Sequence, residues 1–216
     1  MLHRARARAT AKQGYPGHGP HLAVSLRPMA EEFSIGLASW LRDGAAGRAL
    51  PPVENWNPAH CGEIDIRIAR DGTWFHRGAP FTRPALMRLF STILRKDPDG
   101  FHLVTPGEKL RIRVDDAPFI AVLLRAEGEG PDQRLIFTTN VGDETVAGRD
   151  NVIRVETHAE TGEPAPYVHV RRGLEAKISR AVFLQLADLT VAGEGEHAGT
   201  LGVWSEGKFF ALGGAA

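Results

Sequence analysis

Arginine is the residue type with the most chemical promise in this chain. Arg83 and Arg180 each stand at the start of an expected amphipathic helix, and Arg77, Arg171 and Arg172 lie just upstream of the two. A helix N-terminus offers free N–H groups and the positive end of its dipole. Arginine adds a planar, bidentate donor suited to phosphate or carboxylate. Two such helix ends meeting at a seam would make an anion pocket. The plainer alternative is that each arginine caps a loop carbonyl or pairs with a nearby acid such as Glu175.

Asp65 and Arg67 are two residues apart on an alternating segment and so share one face, with Glu63 beside them. That face is either a polar site or the solvated side of a half-buried sheet. His60-Cys61 just upstream could in principle supply a nucleophile. Adjacent residues on an extended chain point apart, however, and a structural cysteine is the commoner case. The nine histidines are scattered, with no His-x-x-x-His pair on a helix; His158 with Glu160, or His169 alone, are weak candidates. No phosphate loop, dinucleotide fingerprint or Gly-x-Ser-x-Gly elbow is present. The glycine-rich Gly193–Gly199 carries Glu194 and Glu196, which would repel phosphate. No catalytic residue, metal ligand or cofactor is therefore assigned.

Bulk properties bound the function. The chain has 216 residues, with 26 Lys plus Arg against 26 Asp plus Glu, so it has no global field to attract nucleic acid or anionic lipid. Its one cysteine excludes an intrachain disulfide and fits a reducing, cytoplasmic setting. No apolar run approaches the roughly 20 residues that a membrane-spanning helix needs. The first 28 residues are basic, carry no acid and are broken by Gly14, Pro16, Gly17, Gly19 and Pro20. They read as a disordered tail or an early start codon, with a transit peptide and a basic nucleic-acid arm as alternatives.

The positioning elements follow from periodicity. Glu31–Arg42 has a helical stripe of Phe33, Leu37, Trp40 and Leu41, and a proline-rich loop follows to Pro58, with Trp56 packing on the core. Ile64, Ile66 and Ile68 alternate with polar residues as a strand, Asp71-Gly72 turns, and Thr73–His76 returns. Thr82 caps a helix with the stripe Leu86, Leu89, Phe90, Ile93 and Leu94, which ends over Asp97–Gly100. Strands are expected at Phe101–Thr105, Leu110–Val114, a buried Phe119–Leu124, Leu135–Thr139, Val152–Glu156 and Tyr167–Val170. Gly162–Pro166 reads as a turn. Ser179 caps a second helix with stripe Val182, Phe183, Leu186 and Leu189 or Thr190. A hairpin of Leu201–Trp204 and Phe209–Leu212 across Glu206-Gly207 ends the chain.

The two helices carry an internal likeness. Arg77-Gly78 and Phe81-Thr82-Arg83 precede the first; Arg172-Gly173 and Ile178-Ser179-Arg180 precede the second. After each comes a strand, a turn ending in lysine, and another strand, with His102–Lys109 aligned on Leu201–Lys208. The expected class is therefore α+β, built from duplicated strand–helix–strand–strand units with mostly antiparallel sheets. The divisions are 1–28 tail, 29–58 helix and loop, 59–116 first unit and 117–216 second domain.

The run Cys61-Gly62-Glu63-Ile64-Asp65-Ile66-Arg67-Ile68-Ala69-Arg70-Asp71-Gly72-Thr73-Trp74-Phe75 resembles the bacterial family called domain of unknown function 1285. The likeness continues through Arg88–Ser91, Leu103–Pro106, Asp115–Phe119, Tyr167-Val168, Arg171–Leu174 and Leu201–Ser205. It implies a duplicated core whose C-terminal half is similar to pleckstrin-homology-like domains. It also implies a ligand site at the domain interface, for a nucleotide or nucleic-acid-like molecule, and a role in signalling. The expected function is thus a ligand-binding regulatory protein, with Asp65, Arg67, Arg83, Arg171, Arg172 and Arg180 as candidate contacts. The alternatives are a hydrolase using Asp65 or Cys61, and a module that binds a protein partner.

Overall fold

The computed structural model describes residues 50–214 apart from residue 82 and residues 158–161. The expected tail over 1–28, the helix over Glu31–Arg42 and the cap at Thr82 lie outside the described residues, as do His158 and Glu160.

The described residues are mostly β-sheet with two helices. The first sheet contains β1 (His60–Ile68), β2 (Trp74–His76), β3 (Ala79–Pro80), β4 (Leu94–Asp97), β5 (Gly100–Val104) and β6 (Glu108–Val114), in the order β3-β2-β1-β6-β5-β4. The second contains β7 (Phe119–Glu127), β8 (Arg134–Thr139), β9 (Glu144–Val146), β10 (Ile153–Thr157), β11 (Pro164–Arg171) and β12 (Leu174–Ile178), in the order β10-β11-β12-β7-β8-β9. Read from its other edge, the second sheet has the topology of the first, strand for strand. In both, the first and last strands lie side by side at the centre and run parallel, while every other pairing is antiparallel.

The duplicated unit is therefore a six-stranded sheet, and not the strand–helix–strand–strand unit expected from sequence. The helix α1 (Pro84–Thr92) joins the third and fourth strands of its sheet. The helix α2 (Arg180–Asp188) instead follows the sixth strand of its own. The two helices, and with them Arg83 and Arg180, are not equivalent positions of the sheet repeat. A small sheet of β13 (Val191–Ala192), β14 (Thr200–Ser205) and β15 (Lys208–Gly214) completes the chain.

Three tight turns share one chemistry. Arg77-Gly78, Arg172-Gly173 and Glu206-Gly207 join β2 to β3, β11 to β12 and β14 to β15, and all six residues have positive φ. Positive φ at both central positions matches the right-handed twist of the flanking strands, and glycine adopts it without strain. This shared turn is why the two Arg-Gly pairs look alike in sequence although one follows β2 and the other β11.

One continuous apolar core joins the halves. From α1, Leu86 and Phe90 enter it, four residues apart on one stripe; Val182 and Leu186 do so from α2. Burying each such side chain stabilises the fold by roughly 1.5–3 kcal/mol. Trp74, Phe81 and Phe90 form an aromatic cluster beneath the first sheet, with ring centroids 5.7 to 6.4 Å apart. Val53 is fully buried and Trp56 packs on the core from the proline-rich loop.

Several boundaries differ from expectation. The helix α1 stops at Thr92, where the Ser91 and Thr92 hydroxyls donate back to the carbonyls of Arg88 and Leu89. Leu94 begins β4, and Asp97–Gly100 is the turn of the β4–β5 hairpin. Phe119 and Ala121 are buried, but Val122 and Leu123 further along β7 are 41 and 62% exposed, because β12 pairs only with Phe119–Ala121. The strands β3, β4, β9, β12 and β13 are additions to the expected set, and β11 begins at Pro164, inside the expected turn.

Candidate functional site

The expected contact residues fall into three places. Asp65 is on the solvent face of β1, where the pairing with β6 slips between Glu63 and Arg67. The extra residues bow β1 away from its neighbour and open two adjoining clefts of about 350 and 380 Å³. Glu63 and Asp65 line both; Arg111 and Arg113 complete one, and His60, His76 and Arg77 the other. Neither carboxylate has an ion-pair partner among the described residues. Arg67 is engaged elsewhere. Its Nε donates to Asp115 Oδ1 and Oδ2 at 3.0 and 2.8 Å, its Nη2 pairs with the same carboxylate, and its guanidinium lies 5.8 Å over Phe75. The bond from Arg67 holds the Asp115 carboxyl below the usual carboxylate range.

Arg171 and Arg172 lie where the two halves meet, and protein acceptors occupy both. Arg171 pairs with Asp143, donates to the Ser91 carbonyl at 2.9 Å and lies 5.0 Å over the Phe119 ring. Arg172 donates to the Pro51 carbonyl at 2.9 Å and pairs with Glu54 at 3.1 Å. Arg83 is the N-cap residue of α1, with extended backbone and no capping bond from its side chain. Arg83 lines neither of the two clefts at β1 nor the groove that Arg180 lines.

Arg180 is the exception. It opens α2 after Ser179, whose hydroxyl accepts from the Val182 N–H at 3.4 Å. The Ser179 N–H is satisfied by Ala121. The next two N–H groups, of Arg180 and Ala181, have no acceptor among the described residues. Arg180 lines a groove of about 340 Å³ together with Lys177, Glu163, Pro164, Pro166, Phe183 and Leu184. The Arg180 side chain has no ion-pair partner among the described residues.

Lys177 belongs to a polar cluster that the sequence motifs do not announce. Lys177 Nζ is 2.6 Å from Asp116 Oδ2, and the Tyr167 hydroxyl donates to Asp116 Oδ1 at 2.8 Å. Burial, then the bond to Asp116, pushes the Tyr167 phenol up to about 12. Arg154 covers the Tyr167 ring at 4.2 Å and is held by Glu175 at 2.6 Å. Glu175 thus pairs with Arg154 and not with an upstream arginine of the candidate set. The alternation of Leu174, Ala176 and Ile178 with Glu175 and Lys177 is the signal that could have placed Lys177 beside Arg180.

Cys61 is exposed, with its thiol 3.9 Å from the Pro58 carbonyl. His60 and Cys61 alternate sides on β1, so they form no nucleophile–base pair.

Among known proteins, the chain matches two family models, "Domain of unknown function (DUF1285), N-terminal domain" over residues 51–117 and "Protein of unknown function (DUF1285), C-terminal domain" over residues 118–212. A crystal structure of a DUF1285 family protein from Silicibacter pomeroyi DSS-3 is 52% identical, with a TM-score of 0.75 over 83% of this chain and 94% of that one. Another, from Shewanella baltica OS155, is 27% identical with a TM-score of 0.46, over 57% of this chain and 90% of that one. No curated protein matches the chain.

Proposed function

The chain belongs to the DUF1285 family, and from that premise we propose that it is a regulatory protein that binds a small anionic ligand of nucleotide type at the N-terminal end of α2. The observation that carries this reading is the groove at Arg180. Arg180, with no ion-pair partner among the described residues, and Lys177, shared with Asp116, line it with an apolar wall of Phe183, Pro164 and Pro166, and Arg180 opens α2 at its N-terminal end. Phosphate suits the first set of groups, and the flat face of a base suits the second. The likeness of the C-terminal half to pleckstrin-homology-like domains, implied by the family, and a role in signalling are part of the same proposal.

The test is a thermal-shift panel on the whole chain with nucleotides, nucleotide second messengers and short oligonucleotides. Binding to the folded state raises the melting temperature by mass action. A dose-dependent shift is expected that disappears in Arg180→Ala and persists in Arg83→Ala, because Arg83 does not line the groove. A shift that survives Arg180→Ala moves the site elsewhere and defeats the reading.

A second reading, a protein partner, is favoured by one observation. On the side where β12 ends, β7 has no strand partner beyond Ala121 among the described residues, and Leu123 there is 62% exposed. Such an edge can accept an added strand. No ligand shift across the panel gives this reading precedence.

A further inference from the structure

The turn between β4 and β5 gathers Asp97, Asp99 and His102, whose candidate ligand atoms all lie within 4.8 Å of one another. Acidic turns are common, and the histidine makes this one unusual. The His102 side chain is only 3% exposed, and it sits between the two carboxylates. Its Nδ1 is 3.5 Å from Asp97 Oδ2 and its Nε2 is 3.4 Å from Asp99 Oδ2. Nδ1 is buried, yet it makes no hydrogen bond. A buried ring nitrogen close to a carboxylate that it does not bond is an unfavourable arrangement that a cation shared by the two would relieve.

We propose that Asp97, Asp99 and His102 form a binding site for a divalent transition-metal ion of the zinc class, with Lys109 as the internal cation that the metal displaces. Lys109 Nζ now lies 2.6 Å from Asp97 Oδ2 and 3.7 Å from Asp99 Oδ1. It therefore holds the place where a shared cation belongs. Its flexible stem lets it withdraw to solvent without moving the backbone. Asp97 stays fixed when Lys109 leaves, because Arg95 forms an ion pair with it and donates from Nη2 to Asp97 Oδ2 at 3.0 Å. Arg95 is itself anchored on the Val53 and Trp56 carbonyls, both at 2.8 Å. This is the kind of outer support that orients metal ligands. Asp99 is 60% exposed, so it can close onto an ion from the open side. One imidazole and two carboxylates suit zinc and leave a coordination position for water. Calcium and magnesium, which prefer cages of oxygen, suit it less.

The experiment uses the untagged full chain, with zinc(II) followed by calorimetry and cobalt(II) by its visible absorption. The wild type is expected to bind a single equivalent at this site. His102→Ala and Asp99→Asn should each weaken binding by at least about tenfold. Lys109→Met, which removes the competing charge, should tighten it by about tenfold or more. Asp99 is exposed, so Asp99→Asn remains informative even where His102→Ala impairs folding. Absence of zinc and cobalt binding to the wild type overturns the proposal, and so does binding of unchanged affinity in both Asp99→Asn and a folded His102→Ala.

Discussion

Arg171 and Asp143 form an ion pair that couples the second sheet to α1, because the same guanidinium also donates to the Ser91 carbonyl and lies over Phe119. Its side chain is 11% exposed. Arg171→Ala is expected to lower stability by about 3 kcal/mol, since it leaves Asp143 and a buried carbonyl without their partner. Asp143→Asn should cost less, because the bond to Ser91 survives. Urea denaturation midpoints check both; equal effects would show that Ser91 contributes nothing.

Two glycines should fail for different reasons. Gly78 has φ of 79° and open space where a methyl group would stand, so Gly78→Ala costs backbone strain alone, about 1–2 kcal/mol. Gly202 lies inside β14, where an added Cβ would strike the Phe210 carbonyl oxygen and a Phe209 ring carbon 2.5 Å away. Gly202→Ala should cost about 3 kcal/mol. Thermal melts of the two variants rank them, and a milder Gly202→Ala would contradict the close packing of β14 on β15.

Tyr167 gives the protein an alkaline limit. Its phenol is held up at about 12 in the folded state, against about 10 in an unfolded chain. A raised folded value means that the stability it lends is whole below pH 10 and is lost as the pH climbs towards 12. Stability measured across that window should fall in the wild type and fall less steeply in Tyr167→Phe. Indistinguishable slopes would show that burial and the bond to Asp116 do not hold the phenol up.

Cys61 is exposed and free. Native protein should therefore react with a thiol reagent at once and without denaturant. Cys61→Ser should change stability by no more than about 0.5 kcal/mol. Slow labelling of the native protein would place the thiol under cover.

Sequence reading succeeds where one residue pattern answers one question. Ile66 and Ile68 alternate with polar neighbours and do face the core; Leu86 and Phe90 recur at helical spacing and do so too. It fails where two structures bury the same residues. Leu94 extends the stripe of α1 as well as it opens β4, and it is buried in either case. It fails again where a turn is mistaken for a position. Arg77-Gly78 and Arg172-Gly173 are alike because both are tight hairpin turns, and that likeness hides the true repeat of the sheets. Strands of two or three residues, such as β13 and β9, have too few positions to show a period. At the site, Arg180 is legible as a helix-start cation. Arg171 and Arg172 are legible as cations, but their acceptors Asp143, Ser91, Pro51 and Glu54 are remote in sequence. Asp97, Asp99 and His102 share no motif, because the hairpin and not the spacing brings them together.

The parallel pairing at the centre of each sheet has a kinetic consequence. Within each sheet, strands on either side of that pair join neighbours in the chain, by short hairpins that close quickly. The parallel pairs instead bring His60 to Glu108 and Phe119 to Ala176, each across the whole length of its unit. Such contacts must meet a large loop-closure entropy before they return any stabilisation. Each half thus resembles two small meanders waiting for one central zipper, and the closing of that zipper, once in each half, is the expected slow step of folding.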